Sequence, residues 1–141
     1  MNSRSLAEKL VRIHGTRDPF RIADALGVIV IDTPLKGIRG LYQYVHRCHI
    51  IYLDNSLGEQ TRRWVCAHEI GHALLHKGLN RLFMDAHTHM VSNRYEIEAD
   101  HFAADLLFSE EDIQPYRSYS IDTAARCMGL SEELAAYRLN R

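Results

Sequence analysis

The sequence predicts an α+β fold: a small antiparallel or mixed sheet packed on one long helix, followed by a helical C-terminal segment. Three observations carry this expectation. Runs rich in β-branched and aromatic residues are confined to residues 28–53 and are bounded by turn formers. Apolar residues recur at helical spacing over two long stretches, about 58–76 and 94–108. Beyond Ser109 only short helical patterns follow. The 141 residues suffice for one domain with a substantial core, so residues 1–141 are read as a single domain on which a segment from about 110 to 141 packs.

Taken in order, Leu6, Leu10, Val11 and Ile13 define a helix over 3–14, with Gly15 as its stop. Asp18-Pro19 reads as a cap and a first-turn proline opening a helix to Leu26, which Gly27 ends. Val28-Ile29-Val30-Ile31 reads as a buried strand, and Pro34 and Gly37 mark a turn. Ile38–Val45 and His49–Leu53 form a hairpin about the polar pair His46-Arg47, and Tyr42, Tyr44 and Tyr52 are expected to share one aromatic face. A long helix spans Gly58 to His76, buries Trp64, Val65, Ala67, His68, Ala73, Leu74 and Leu75, and closes at Gly78. Residues 77–93 lack a clean period and are read as a functional loop crossing the site. A second strong helix covers Arg94–Phe108, Ser109 opens a short helical element, and Pro115 breaks it. Two short helices, 120–128 and 131–139, meet at Gly129-Leu130-Ser131.

Composition narrows the function classes. A formal net charge of -1 offers no general attraction to nucleic acid. The amino terminus, broken by charges, lacks the apolar run of a signal peptide, and no stretch approaches the roughly 18 apolar residues of a membrane span. Cys48, Cys66 and Cys127 are odd in number and not closely paired, which fits free thiols in a reducing cytoplasm. Cys66 is read as a buried thiol, not a ligand.

The chemistry concentrates in His68-Glu69-Ile70-Gly71-His72. Two histidines four apart stack on one helix face and can share a metal ion, and the Glu69 carboxylate beside them can take a proton from a metal-activated water. A catalytic zinc site needs a third protein ligand. Glu96-Ile97-Glu98-Ala99-Asp100-His101 offers it on the second long helix. Glu96 and Asp100 share a face, so Glu96 can ligate while Asp100 accepts a hydrogen bond from the free ring nitrogen of a ligating histidine. Glu98 points about 200° away from Glu96, so only one of the two faces the metal. Glu96, with Asp100 beneath it, is favoured, and Glu98 or a loop histidine is the alternative. His101 is expected to face elsewhere. His76 continues the stripe of His68 and His72 but cannot complete a tetrahedron from the same straight helix. It is expected to be a partly exposed histidine at the carbonyl end of the helix dipole. The longer metzincin pattern is absent, since Leu75 and Gly78 occupy its glycine and third-histidine places.

These motifs together resemble the ImmA/IrrE family of metallopeptidases. The resemblance rests on His68-Glu69-Ile70-Gly71-His72-Ala73-Leu74-Leu75-His76 and on Glu96-x-Glu98-Ala99-Asp100-x-Phe102-Ala103-Ala104-x-Leu106-Leu107. Gly40-Leu41-Tyr42 and Ile50-Ile51-Tyr52-Leu53 add to it, for coverage of about residues 20–139. It implies a zincin-like domain with a thermolysin-like arrangement: His68, His72 and Glu96 on one Zn2+ per chain, Glu69 as general base and acid, and Asp100 in support. It also implies a regulatory endopeptidase that cleaves a helix-turn-helix repressor and so derepresses mobile-element, phage or stress genes. Phe108-Ser109 departs from the Met-Pro often found after this motif, which bears on the helix end only.

Several assignments stay open on sequence alone. A His2Glu site accepts Mn2+ or Fe2+ as well as Zn2+. His87, His89, Tyr95 and Tyr42 are candidate donors to the tetrahedral oxyanion. The strand at 38–44 offers an edge for an extended substrate. The rival reading is a zinc-containing sensor or adaptor that binds a repressor or DNA without proteolysis. Ala124–Ser131 has the small-residue, glycine-turn look of helix-turn-helix, yet four Arg against three acidic residues over 116–141 make no basic face, so direct nucleic-acid binding is not expected.

Overall fold

The computed structural model describes residues 2–76 and 89–141, with side chains in the second block from residue 93. Helix α1 (Ser3–His14) starts where the Asn2 side chain accepts from Ser5 N–H at 2.8 Å and stops at Gly15, in the left-handed region at φ 67°. Helix α2 (Pro19–Ala25) is capped by Asp18, whose Oδ1 accepts from Phe20 N–H at 2.9 Å. Strands β1 (Ile29–Thr33), β2 (Gly40–Val45) and β3 (Cys48–Asp54) form a mixed sheet of order β1-β3-β2. β1 runs parallel to β3, and β2 antiparallel to it. His46 and Arg47 make the hairpin turn with φ of 50° and 62°, the two positive values of a tight type I′ reversal.

Among the described residues, helices cover the sheet on one face only. Gly40, Tyr42, Ile51 and Leu53 turn toward helix α3 (Glu59–Leu75) and are buried. In β1, the register puts Ile29 opposite Ile50 and Ile31 opposite Tyr52, on the uncovered face, where they are 46% and 38% exposed. The expected buried strand is therefore a half-exposed edge strand: the apolar run splits by pleat parity, and no described helix covers its outer side. The same parity corrects the expected aromatic face. Tyr42 and Tyr44 lie together, whereas Tyr52 stands opposite Leu41 on the other face and donates from its hydroxyl to Gln43 Oε1 at 3.2 Å.

Helix α4 (His89–Leu107) packs on α3 and begins five residues before the predicted start, inside the stretch read as loop. The expected loop crossing and the Gly78 stop lie outside the described residues; α3 ends with His76 as its C-cap. Gly71 explains the close crossing. A Cβ there would sit 3.1 Å from Phe102 Cδ1 and 3.2 Å from Ala99 Cα, tight enough that α4 would have to give by a few tenths of an ångström to admit it. The buried stripe of α3 is Val65, Cys66, Ala67, Glu69, Ile70, Gly71, His72 and Ala73. Trp64, His68, Leu74 and Leu75 are only partly buried, which rotates the covered face from the one expected.

Ser109 opens α5 (Glu110–Ile113) with a reciprocal capping box to Asp112. Pro115 does not simply break the chain direction; it sits in the first turn of a 3₁₀ segment, Gln114–Ser118, where its missing N–H costs nothing. Helices α6 (Ile121–Met128) and α7 (Glu132–Leu139) follow, joined through Gly129 at φ 72°. They bury Ile113, Ala124, Ala125, Met128, Ala135 and Leu139 in a second apolar cluster, and α7 docks on α4. The architecture is α+β. Among the described residues no helix is long and apolar enough to cross a membrane.

Candidate metal centre

α3 and α4 cross so that the histidine stripe of one faces the carboxylates of the other. His68 Nε2 lies 3.0 Å from Glu96 Oε2, and His72 Nε2 lies 3.0 Å from Glu96 Oε1. The three potential ligand atoms lie within 4.8 Å of one another, the one such group among the described residues. Behind it, His68 Nδ1–H donates to Asp100 Oδ1 at 2.8 Å. Each of the sequence-predicted residues His68, Glu69, His72, Glu96 and Asp100 is therefore brought to this crossing.

Local packing sets the positions. Glu69 is 2% exposed, and a Cβ at Gly40 would collide with Val65 and come 3.4 Å from Glu69 Oε2. The absent side chain lets β2 lie directly against the start of the histidine stripe. A cleft of about 290 Å³ opens there, lined by Gly37, Ile38, Gly40, His68, Glu69 and Glu96 among others.

The electrostatics favour a cation. Burial opposes charge on His68, yet its hydrogen bonds to Asp100 and Glu96, with the nearby Glu69, push its pKa up to about 9. His72 Nε2 is buried and makes no hydrogen bond, although Glu96 Oε1 lies 3.0 Å away. A buried ring nitrogen without a hydrogen bond, beside a second imidazole and a carboxylate, suits a divalent ion bound through N and O ligands. This donor set fits zinc, and also manganese or iron.

Other expectations need correction. His76 is not partly exposed: it is 4% exposed, its Nδ1 lies 3.0 Å from His72 Nδ1 and its Nε2 3.0 Å from Glu98 Oε2. Burial holds its pKa below the usual histidine value despite Glu98. Burial opposes charge on Glu98, but His76 and Arg94 outweigh it and hold the carboxyl below the usual range. Glu98 meets His76 on the described side of this crossing. The i, i+4, i+8 spacing of His68, His72 and His76 was the available signal for this contact. His101 does face elsewhere, stacked on Tyr137 at 3.6 Å. Of the oxyanion candidates, Tyr42 is buried with its hydroxyl 2.6 Å from His49 Nδ1, and Tyr95 packs its ring 4.3 Å from that of His76. His87 and the His89 side chain lie outside the described residues.

The chain as a whole is similar to known proteins. Residues 23–140 match the IrrE N-terminal-like domain, a peptidase family. The chain is 32% identical over 135 residues to "Uncharacterized immunity region protein 2" of Bacillus phage phi105, covering 94% of this chain and 85% of that protein. It is 24% identical over 140 residues to "Metallopeptidase ImmA" of Bacillus subtilis (strain 168), covering 95% of this chain and 82% of that protein.

Proposed function

The chain belongs to the family of the IrrE N-terminal-like domain, metallopeptidases of the ImmA/IrrE type, and from that premise we propose a zinc-dependent endopeptidase that cuts a helix-turn-helix repressor. The observation that carries the reading is the crossing of α3 and α4, where two ring nitrogens and a carboxylate converge within 4.8 Å. In this proposal His68, His72 and Glu96 hold the ion and Asp100 fixes the ring of His68. Zinc, when bound, supplies Lewis acidity at the scissile carbonyl.

The chain's own groups do the rest. Glu69, on the same turn as His68, takes the proton of the attacking water and returns it to the leaving amine. Strand β2 lies at an edge of the described sheet, with Gly40 beside Glu69, which supports an extended substrate segment adding along that edge. A second cavity of about 510 Å³ adjoins the cleft through Arg39, Trp64 and Asp100 and gives room for substrate side chains. The exposed free thiols of Cys48 and Cys127 suit a reducing cytoplasm, where such repressors act. A repressor-derepressing role rests on the family and on the immunity-region name of the phage relative.

The test pairs wild type with Glu69→Gln. Zinc-loaded protein is incubated with purified helix-turn-helix repressors, and new peptide termini are read by mass spectrometry. Wild type is expected to produce discrete termini, and Glu69→Gln to lose roughly 10³-fold in rate, within the span of general acid–base contributions, with zinc content unchanged. Repressor bound without cleavage by either protein would replace this reading with the sensor or adaptor.

A further inference from the structure

We infer that His76 and Glu98 form a positioning pair for His72, fixing its ring tautomer so that Nε2 offers a lone pair toward the site. The inference rests on the metal-site reading above but concerns residues to which that reading gives no role. It follows from a proton count along four side chains. Glu98 Oε1 accepts from Arg94 Nε–H at 3.1 Å, and an ionised carboxylate has acceptors only. The 3.0 Å contact from Glu98 Oε2 to His76 Nε2 therefore places a proton on that nitrogen. A neutral imidazole carries one N–H, so His76 Nδ1 is an acceptor. Its 3.0 Å neighbour, His72 Nδ1, must then be the donor. That leaves His72 Nε2 without a proton; this buried nitrogen makes no hydrogen bond and lies 3.0 Å from Glu96 Oε1, a contact between a lone pair and a carboxylate that a shared cation relieves.

The two histidines of the stripe are thus backed by different devices. His68 is backed directly by Asp100 at 2.8 Å, whereas His72 is backed through a second imidazole and then a carboxylate. His76 is well held for this task. Its backbone N–H donates to His72 O at 3.0 Å, and Tyr95 covers its ring. An acceptor behind a ligating histidine fixes its tautomer and orientation, and losing such partners typically weakens metal binding by roughly 10- to 100-fold.

The experiment uses the full chain with His76→Phe, Glu98→Ala and Glu98→Gln. Zn2+ affinity is measured by competition with a chromophoric chelator, and the ring nitrogens of His72 are read by NMR in metal-stripped protein. Wild type is expected to show His72 protonated at Nδ1. His76→Phe and Glu98→Ala should bind Zn2+ about 10- to 100-fold more weakly and lose that tautomer's dominance. Glu98→Gln, whose amide oxygen still accepts from Nε2–H, should recover affinity to within about threefold of wild type, well short of the loss that removing an outer partner brings. Glu98 is part-exposed, so its variants keep the inference testable where His76→Phe fails to fold. A His72 protonated at Nε2 in wild type, or Glu98→Ala with unchanged affinity and tautomer, overturns the inference alone. Wild type that takes up no Zn2+ overturns the metal-site reading instead, while the NMR result still decides the tautomer.

Discussion

Helix α4 carries two polar clusters into the protein, and their difference separates a site from a joint. Toward its start, Glu96 and Asp100 meet His68 and His72. Further along, Asp105 meets Ser3, Arg4 and Tyr137. Asp105 is 1% exposed and accepts from Tyr137 O–H at 2.6 Å, Ser3 O–H at 3.1 Å and Arg4 Nε–H at 3.4 Å. Arg138, equally buried, donates to Phe108 O at 2.7 Å and lies 3.9 Å from Asp105. In that joint each group meets a complementary one, and the cluster ties α1, α4 and α7 together. At the crossing with α3, in contrast, His72 Nε2 is buried without a hydrogen bond. Burying a polar nitrogen unsatisfied costs free energy, so its persistence is a reason to look for a ligand.

The largest effect expected to break this comparison comes from the joint. Asp105→Ala removes the acceptor shared by three donors and strips Arg138 of a buried counter-charge. Breaking such an arrangement costs about 3–5 kcal/mol, read as a lower urea midpoint at constant slope. Zinc affinity should stay within roughly threefold of wild type, because sites with no shared partner behave additively. A large loss of zinc affinity in folded Asp105→Ala would show that the two clusters are one network.

Glu96→Ala is the mirror experiment. Under the proposed function, removing a direct ligand should weaken Zn2+ binding by more than about 100-fold, beyond what outer partners contribute. Metal-stripped stability should move by less than about 1 kcal/mol, since the Glu96 side chain is 33% exposed and its ion pairs are partly screened. Chelator competition and thermal melts of stripped protein check both halves. Undiminished zinc binding would remove Glu96 from the ligand set.

How much of this was legible in the chain follows from the range of each interaction. The caps at Asp18 and Ser109, the span of α3 and the face shared by Glu96 and Asp100 depend on neighbours within a turn, and spacing reports them. The exposure of Ile29 and Ile31 was not legible, because it depends on which sheet face a distant helix covers. The pairing of His76 with Glu98 depends on how far α3 and α4 are rotated at their crossing, a property set by Gly71 against Ala99 and Phe102. Periodicity fixes the face of each helix only relative to itself. The early start of α4 was hidden because His89–Asn93 lacks apolar period while still extending a helix nucleated downstream.

Cys66 sharpens the comparison from its quiet side, by showing burial without either role. It lies two residues before His68, is fully buried in the main core, and its thiol is pushed from 9.0 up to about 12 by burial. At pH 8 a thiol-specific reagent should label Cys48 and Cys127, both exposed, and reach Cys66 only on unfolding. The linkage has a definite sign. Below pH 9 folded and unfolded chains both keep this proton, so pH has no leverage on stability through it. Between 9 and 12 only the unfolded chain releases it, so stability falls as pH rises. At pH 10 the loss amounts to about 1.4 kcal/mol relative to pH 8. Cys66→Ala should lack that increment, so urea unfolding of both proteins at the two pH values isolates it from other alkaline titrations. Equal losses in the two proteins would mean that the thiol ionises in the fold as easily as in the open chain. Cys66 would then face the polar crossing instead of the apolar core, and the boundary drawn here between core and site on α3 would be wrong.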